Sequence, residues 1–300
     1  MPPLFTVVIP THDRPDLLLR AVASVKAQRF GDWEVIVVDD CSEQPVSLAS
    51  VSGGDTRVRL VTNRTNMGPG ASRHIGAELA TGRFLCFLDD DDYYLPHYLT
   101  ELAEYLELQT GQLALTVTAM LTEMPNGERR LGGKYDEQRD VLRQYWEQPV
   151  SLLPFVIPAT VARRWPPSSI PSPIEDFEWL CTLLSQVGCS TLGIAGVVYV
   201  THPENRTVTL TRRRDLLARE AVLMRLASHS AINRRIKSQS YTDKLIHQRL
   251  HWTRQCIRQR QWKNAGWGLS RSINLGSLNR VREWTYTLSV LLRTLLRIEV

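Results

Sequence analysis

Four consecutive aspartates, Asp89–Asp92, follow the apolar stretch Phe84–Leu88 and are the residues of this chain best suited to chemistry. Carboxylates packed side by side repel one another, so placing them where a strand leaves the core costs stability unless a positive charge binds there. Hard oxygen ligands of this kind suit Mg²⁺ or Mn²⁺, which keep open positions for waters and for the phosphates of a substrate. From the run alone, a solvated acidic turn is the alternative.

The segments that would position these aspartates alternate between strand and helix patterns. The predicted strands are Phe5–Ile9, Glu34–Val38, Arg57–Val61 and Phe84–Leu88, and the predicted helices between and after them are Arg14–Gln28, Gly70–Ala80 and Tyr94–Leu108. Such alternation predicts a parallel sheet with crossover helices on both faces. Ligands bind these sheets beyond the carboxyl ends of the strands. The loops Thr11–Arg14, Asp39–Ser42 and Asp89–Asp92 should therefore converge on one edge.

Later parts of the chain change in character. Leu113–Leu121 has a strand pattern, and the Pro- and Ser-rich segment Trp165–Pro173 predicts a loop before another helix that begins near Glu175. From about residue 212 onward only helical patterns occur. They cover Arg213–Ser228, Ser240–Lys263 and Leu278–Ile298, with turns predicted near Gly266–Gly268 and Gly276.

Charge is distributed unevenly along the 300 residues, whose net charge is +5. Residues 211–300 contain 19 Lys and Arg against 5 Asp and Glu, whereas residues 1–210 are acidic overall. We therefore predict a catalytic domain over 1–210 and a basic helical region over 211–300. We predict a cytoplasmic protein, because the five cysteines lack CxxC spacing and the sequence has neither a signal-peptide pattern nor a long apolar run.

Five loop motifs in order resemble those of the family 2 glycosyltransferases of GT-A fold. Pro10–Arg14 (PTHDR) ends the first strand, and Asp39–Ser42 (DDCS) ends the second. Asn66–His74 (NMGPGASRH) comes next, and Asp89–Asp92 stands at the position of the family's acidic motif. The pair Glu175-Asp176 then opens a later helix. Each motif is weak alone, but their common order and placement make the resemblance specific.

The resemblance covers about residues 6–206 and implies an α/β fold of the GT-A (Rossmann-like) type, with a mostly parallel sheet flanked by helices and an all-helical C-terminal extension. It implies an inverting, metal-dependent transferase that moves one sugar from a nucleotide-diphosphate donor to a hydroxyl of a glycan acceptor. The expected donor is a UDP-sugar. The residues implied to bind the nucleotide sugar are Pro10, Thr11, His12, Arg14, Asp39, Arg73, Asp89 and Asp90.

The same resemblance implies that Asp91 is a direct ligand of Mn²⁺ or Mg²⁺, with His202 as a further ligand and Asp89 facing the ribose or a metal-bound water. Such a metal stabilises the leaving diphosphate as charge builds on it. A carboxylate such as Asp39 can accept the imide N–H of a uracil or thymine. The structural alternative at this turn is a helix N-cap, which Asp40 or Ser42 would fill equally well. His12 is a candidate for stacking on the base, or it is simply structural.

Asp176 is the candidate general base. An inverting transfer needs one carboxylate opposite the leaving group to take the proton of the attacking hydroxyl. The alternative is that Glu175 and Asp176 merely favour the N-terminus of a helix. Nearby, Trp179 is either a platform for the acceptor sugar or part of the core, and Gly68 and Gly70 either form a turn or let a ligand approach the backbone.

The remaining expectations concern acceptor and partners. Gln255–Arg258 is followed by Gln259, so the Gln-x-x-Arg-Trp motif of processive relatives is absent and transfer of a single sugar is expected. The acceptor is expected to be a growing, lipid-linked glycan of a cell-envelope polymer. The basic C-terminal region has no recognised nucleic-acid motif. Its last helical segment, Trp284–Ile298, predicts adsorption to the anionic inner face of the cell membrane. The alternatives are that this helix packs on the catalytic domain or against a second subunit in a homo-oligomer. A non-catalytic glycan- or membrane-binding module is the alternative for the whole chain.

Overall fold

The structure is a computed structural model that describes residues 1–109, 114–167, 174–202, 211–273 and 281–295. The chain divides into two compact units, Met1–Pro171 with Glu175–His202 and Ser172–Ile174 with Pro203–Val300. The predicted boundary after residue 210 falls at the end of a segment, 203–210, that lies outside the described residues. The division into domains 1–210 and 211–300 therefore stays a prediction.

The first unit is built on a nine-stranded sheet in the described residues, with the order β3-β2-β1-β4-β8-β6-β9-β5 and β7 paired to β6. The strands are β1 Phe5–Thr11, β2 Trp33–Asp39, β3 Val58–Thr62, β4 Phe84–Phe87, β5 Tyr93–Tyr94, β6 Leu115–Glu123, β7 Arg129–Gly132, β8 Phe155–Pro158 and β9 Cys189–Val200. All residues of β1 and β2 are buried, as unbroken apolar runs predict for strands covered on both faces.

Strand direction changes across the sheet. β1 pairs in parallel with both β2 and β4, and β2 pairs in parallel with β3. Beyond β4 the sheet is mixed, because β8 is antiparallel to β4 and to β6, whereas β6 and β9 are parallel. The predicted α/β sheet with flanking helices is confirmed, with its parallel part confined mainly to the half that carries the acidic loop.

Seven helices are described in the first unit: α1 Pro15–Lys26, α2 Leu48–Ser52, α3 Pro69–Leu79, α4 Tyr98–Leu108, α5 Val141–Glu147, α6 Ala159–Arg164 and α7 Glu175–Gln186. α1 buries Leu18, Ala21, Val22 and Val25, the face that its apolar spacing predicts. α3 lies so close to β1 that a Cβ on Gly76 would come within 2.3 Å of Val8 Cγ1. The prediction that α4 begins at Tyr94 is wrong, because Tyr93 and Tyr94 pair with β9 instead.

The second unit is helical in its described residues, which confirms the predicted helical C-terminal region. Its helices are α8 Arg213–Ser228, α9 Ser230–Asn233, α10 Ser238–Arg258, α11 Trp262–Ile273 and α12 Val281–Leu295. Leu216, Trp252 and Val290 are buried in one apolar cluster. The predicted turn near Gly266–Gly268 is wrong: both glycines lie inside α11, and a Cβ on Gly268 would meet the Thr253 hydroxyl at 2.3 Å. The turn predicted at Gly276 lies outside the described residues.

In the part of the chain that the structure describes, no helix combines the length and the apolar character needed to cross a bilayer.

Candidate active site

The acidic loop follows β4 and holds its carboxylates in two different environments. Asp89, Asp91 and Asp92 each offer a carboxylate oxygen, and these oxygens lie within 4.8 Å of one another. Asp90 instead accepts a hydrogen bond from the Thr11 hydroxyl at 2.8 Å. Since Thr11 ends β1, this bond ties the loop to the neighbouring strand. The loop thus presents three carboxylates that can share one cation and a fourth that fixes its position.

Burial makes two of these carboxylates, those of Asp90 and Asp92, harder to ionise. Burial and the neighbouring charge of Asp91 raise the pKa of Asp90 to about 6. Burial and the charges of Asp89 and Asp91 also raise the pKa of Asp92 well above its usual value. Oδ1 of Asp92 accepts the Val200 N–H at 2.7 Å, whereas Oδ2 is buried and has no hydrogen-bond partner in the described structure. The donor set therefore fits a hard divalent cation such as Mg²⁺ or Mn²⁺.

Three basic side chains surround Asp91. The Arg14 guanidinium donates to Asp91 Oδ2 at 2.8 Å and to Asp90 Oδ1 at 3.3 Å. Nε2 of His202 lies 2.9 Å from the same Oδ2 of Asp91. Arg20 donates to the backbone carbonyl of Asp91. The structure thus brings together Asp91 and His202, the two predicted metal ligands, and places Arg14 on the same carboxylate; their ligand roles stay a prediction.

The first predicted nucleotide loop begins inside β1. Pro10 and Thr11 are the last two residues of that strand and pair in parallel with β2. Nε2 of His12 lies 3.0 Å from the Asn66 side-chain amide nitrogen and 3.1 Å from the Asp13 carboxylate. The His12 ring therefore links the first loop to the loop before α3 while staying partly exposed. Its role in stacking on a base stays a prediction.

Asp39 closes a turn at the end of β2. It is fully buried, and its carboxylate accepts the Ser42 backbone N–H at 3.0 Å, the Ser42 hydroxyl at 2.6 Å and the Val46 N–H at 3.2 Å. Asp39 itself does not cap a helix, because the next helix, α2, begins only after Ser47. Asp39 thus shapes the loop in this structure, and its contact with a uracil stays a prediction.

Asp40 anchors the start of α3. Its carboxylate accepts hydrogen bonds from the Asn63 side-chain amide at 2.8 Å, the Met67 N–H at 3.0 Å and the Gly68 N–H at 2.6 Å. Gly68 is the N-cap residue of α3 and has φ of 86°, a conformation that glycine adopts easily. The carboxylate of Asp40 thus satisfies the N–H of this N-cap residue and places a negative charge at the helix N-terminus, where it is favourable.

Arg73, on α3, joins carboxylates from two other elements. Its guanidinium donates to Asp176 Oδ1 at 2.8 Å and to Asp89 Oδ1 at 2.6 Å, and it lies 3.7 Å from Glu175 Oε1. The side chain is only 7% exposed. Burial by itself lowers the pKa of Arg73, but the charges of Asp176, Asp89 and Glu175 outweigh it and hold that pKa above the usual value. The residue predicted near the diphosphate thus contacts both the acidic loop and the candidate base.

Close packing brings α7 against α3. A Cβ on Gly70 would lie 2.7 Å from Glu175 Cγ, so glycine is needed there for the two helix starts to meet. Gly70 lies inside α3, so the turn predicted there is wrong, and a ligand approach to its backbone stays a prediction. Trp179, farther along α7, is buried and meets the Phe87 ring edge-on at 5.5 Å. It belongs to the core.

Sequence reasoning did not foresee the contacts that three residues of this site make: Asp40, Asp92 and Arg20. A usable signal exists for Asp40, because a helix that starts after Gly68 without a capping side chain needs an acceptor from elsewhere. For Asp92 the signal is its place in the acidic run. Arg20 lies on α1, and nothing in the local pattern distinguishes it from a solvated arginine.

Comparison with protein families identifies the segment that carries most of these residues. The model of glycosyl transferase family 2 matches residues 6–151. This range includes the loops that hold Arg14, Asp39, Arg73 and the four aspartates. Asp176 and His202 lie beyond it.

Curated relatives match about a third of the chain. The succinoglycan biosynthesis protein ExoO of Rhizobium meliloti is 35% identical over 113 residues, which cover 38% of this chain and 32% of that protein. The GalNAc(5)-diNAcBac-PP-undecaprenol beta-1,3-glucosyltransferase of Campylobacter jejuni is 34% identical over 105 residues, 34% of each chain. The match thus spans about a third of the length of these curated relatives.

A solved structure extends the likeness to the whole fold. S. aureus TarS 1–349, crystallised in complex with UDP-GlcNAc, matches with a TM-score of 0.62 at 15% identity, over 97% of this chain and 81% of that chain. At this identity the likeness concerns the fold, and it confirms the predicted GT-A-like architecture with a helical C-terminal region. The family resemblance of the loop motifs is likewise confirmed, because residues 6–151 match the model of glycosyl transferase family 2.

Proposed function

We propose that this chain is an inverting, metal-dependent glycosyltransferase that moves one sugar from a UDP-sugar to a hydroxyl group of a glycan. The observation that carries the proposal is the arrangement around Arg73, which holds Asp176 at 2.8 Å and Asp89 at 2.6 Å. An inverting transfer needs a carboxylate that takes the proton of the attacking hydroxyl and a separate site for the leaving diphosphate. Asp176 and the acidic loop are suited to these two tasks, and one guanidinium keeps them adjacent.

The acidic loop is the proposed diphosphate end of the site. Asp89, Asp91 and Asp92 would hold Mn²⁺ or Mg²⁺, with His202 as a candidate further ligand. When bound, such an ion neutralises charge on the leaving diphosphate. The bond from Thr11 to Asp90 fixes the loop for this purpose.

Donor and acceptor classes are proposed from the relatives. The similar TarS structure holds UDP-GlcNAc, which supports a UDP-sugar donor. The Campylobacter relative is named for transfer to an undecaprenol-linked glycan, and ExoO for succinoglycan biosynthesis. These names support a lipid-linked glycan acceptor in the synthesis of a cell-envelope polysaccharide.

The test separates donor binding from transfer. Thermal-shift screening of nucleotide sugars with and without Mn²⁺ should identify a stabilising, metal-dependent donor, because ligands stabilise the state that they bind. Asp176→Asn should lower sugar transfer by about 10²–10⁴-fold while donor binding stays, since it removes only the base. Asp91→Asn should weaken donor binding itself. Glu104→Gln, which removes an exposed carboxylate of α4, is the control. If transfer survives both Asp variants, the roles assigned to Asp176 and Asp91 are wrong. If the wild-type chain neither hydrolyses the donor nor transfers its sugar, the chain is a non-catalytic module and the proposal is wrong.

We also propose that α12 adsorbs to an anionic membrane surface. Leu288 and Leu292 are one helical turn apart and are 52% and 57% exposed, whereas Val290 faces the core. Arg258 donates to the hydroxyl of the exposed Tyr286, so a basic side chain lies beside this apolar face. An amphipathic helix within a region of strongly positive net charge suits an anionic bilayer.

Vesicle sedimentation tests this surface. The intact chain should bind phosphatidylglycerol vesicles more strongly than phosphatidylcholine vesicles, and salt should weaken the binding. Replacing Leu288 and Leu292 with Ser should reduce vesicle binding at least about tenfold, because the two leucine side chains that would insert into the lipid are lost. Leu217→Ser, at an exposed leucine of α8, is the control. Equal binding to both vesicle types, or dimerisation lost on the double substitution, would refute membrane adsorption.

A further inference from the structure

We infer that Arg73 is a positioning residue that sets the distance between the candidate base and the donor site. This inference rests on the proposed function, since it concerns the same transfer reaction. Arg73 was expected to add positive charge near the diphosphate. In the structure its two terminal nitrogens are instead bonded to carboxylates on either side, Asp176 and Asp89.

Geometry makes this bridge rigid. One terminal nitrogen of the guanidinium donates to Asp176, and the other donates to Asp89, so the two carboxylates bind opposite ends of one planar group. The planar fork of arginine fixes the directions of its N–H groups. The two carboxylates therefore cannot separate by much without breaking a charge-assisted hydrogen bond.

Three elements meet at this guanidinium: α3 through Arg73, the loop after β4 through Asp89, and α7 through Asp176. Two contacts fix the position of α3. Asp40 accepts the backbone N–H of Gly68 at the start of the helix, and Gly70 packs against Glu175 of α7. Arg73 is thus held by its own helix as well as by its partners. A side chain that is anchored in this way can transmit the position of the acidic loop to α7.

Burial also argues against a direct role in binding the donor. The Arg73 side chain is 7% exposed, compared with 30% for Asp176 and 31% for Asp89. A diphosphate could reach the two carboxylates more readily than the guanidinium between them. Arg73 therefore acts on the reaction through Asp176 and Asp89.

Substitution of Arg73 should separate kcat from KM. Arg73→Gln removes the cation beside Asp176, so kcat should fall about 100-fold, a loss typical of misplacing a catalytic group by about 1 Å. The acidic limb of the pH profile of kcat should move to higher pH, because removing a neighbouring cation makes a carboxylate easier to protonate. The KM for the donor should stay within about threefold. Arg73→Lys keeps the charge without the planar fork and should lose about tenfold in kcat with little change of the pH profile.

Arg59→Gln is the matched control, since Arg59 pairs at 3.4 Å with Glu34 on another part of the sheet and is not placed in the reaction. Its kcat and pH profile should equal those of the wild type. If Arg73→Gln does not fold, Arg73→Lys decides alone through its kcat. A folded Arg73→Lys or Arg73→Gln variant with wild-type kcat and pH profile would overturn the inference and leave the proposed function intact. A wild-type chain that transfers no sugar would overturn both.

Discussion

Replacing Asp40 with Asn tests whether a buried carboxylate anchors the helix that carries Arg73. The Asp40 side chain accepts three hydrogen bonds, from Asn63 and Met67 on Oδ1 and from Gly68 on Oδ2. An asparagine has one acceptor oxygen, so in its better orientation it keeps the Oδ1 partners and turns an NH₂ group towards the Gly68 N–H. The shortest bond, 2.6 Å, is then lost.

The expected cost follows from these contacts. Losing one hydrogen bond to a charged acceptor costs about 1.5–3 kcal/mol, and losing the negative charge at the N-terminus of α3 costs about 0.3–1 kcal/mol more. Because Met67 and Gly68 are only partly buried and water can replace part of the loss, we expect Asp40→Asn to lower the free energy of unfolding of the first unit by about 2 kcal/mol. Urea denaturation would measure this change.

Hydrogen exchange localises the same effect. The backbone amides of Met67, Gly68 and the first turn of α3 should exchange faster in Asp40→Asn than in the wild type, since the start of the helix loses its anchor. Asp13→Asn is the control: Asp13 also accepts a backbone N–H, that of Glu43 at 2.7 Å, but it is exposed. It should cost less than about 1 kcal/mol. Equal stability of the two variants, or unchanged exchange in α3, would refute the anchoring role of Asp40.

Two further predictions concern packing and protonation. Gly76→Ala should destabilise the chain by about 1–3 kcal/mol in thermal unfolding, because its Cβ would lie 2.3 Å from Val8; Gly266→Ala, with open space around the new Cβ, should be neutral or stabilising. Burial and the nearby Arg254 lower the pKa of His251 to about 4 from 6.5. Protonation of His251 thus favours unfolding. The contribution of the neutral ring to the free energy of unfolding should be fully present above pH 6.5, and it should fall by up to about 3 kcal/mol as the pH drops towards 4. Titration of the His251 ring by NMR and a flatter pH–stability curve of His251→Gln would check this, and a ring that titrates near pH 6.5 would contradict it.

The convergence of the polar loops could be predicted from sequence because it requires only that the strands before them run parallel. Unbroken apolar runs identify β1 and β4, and parallel neighbours end at the same edge of a sheet. The bond between Thr11 and Asp90 is the direct consequence, since these residues end adjacent strands. The residue types in the loops then indicate the chemistry.

The second half of the sheet could not be predicted in the same way. Phe155–Pro158 is an apolar run like those of the parallel strands, yet it pairs antiparallel with β4 and β6. A strand that is buried on both faces has the same pattern in either direction, so only the path of the connecting chain decides its orientation. The two-residue strand Tyr93–Tyr94 is too short to leave any periodic pattern, and it delays the start of α4 to Tyr98.

The sequence also does not show which partners the charged residues have, and these partners alter the electrostatic balance of the site. The charge of Arg73 is shared among Asp89, Glu175 and Asp176, and Arg14 is bonded to Asp90 and Asp91. These two arginines, which sequence reasoning assigned to the nucleotide sugar, are therefore already neutralised by the protein. A diphosphate that binds beside this acidic loop would add negative charge to a region where carboxylates outnumber the cations that contact them. Extra positive charge would favour such binding, and a divalent ion on Asp89, Asp91 and Asp92 would supply it while giving the buried Oδ2 of Asp92 its missing partner. The charge balance of the described residues thus supports the proposed metal dependence, as the acidic motif does.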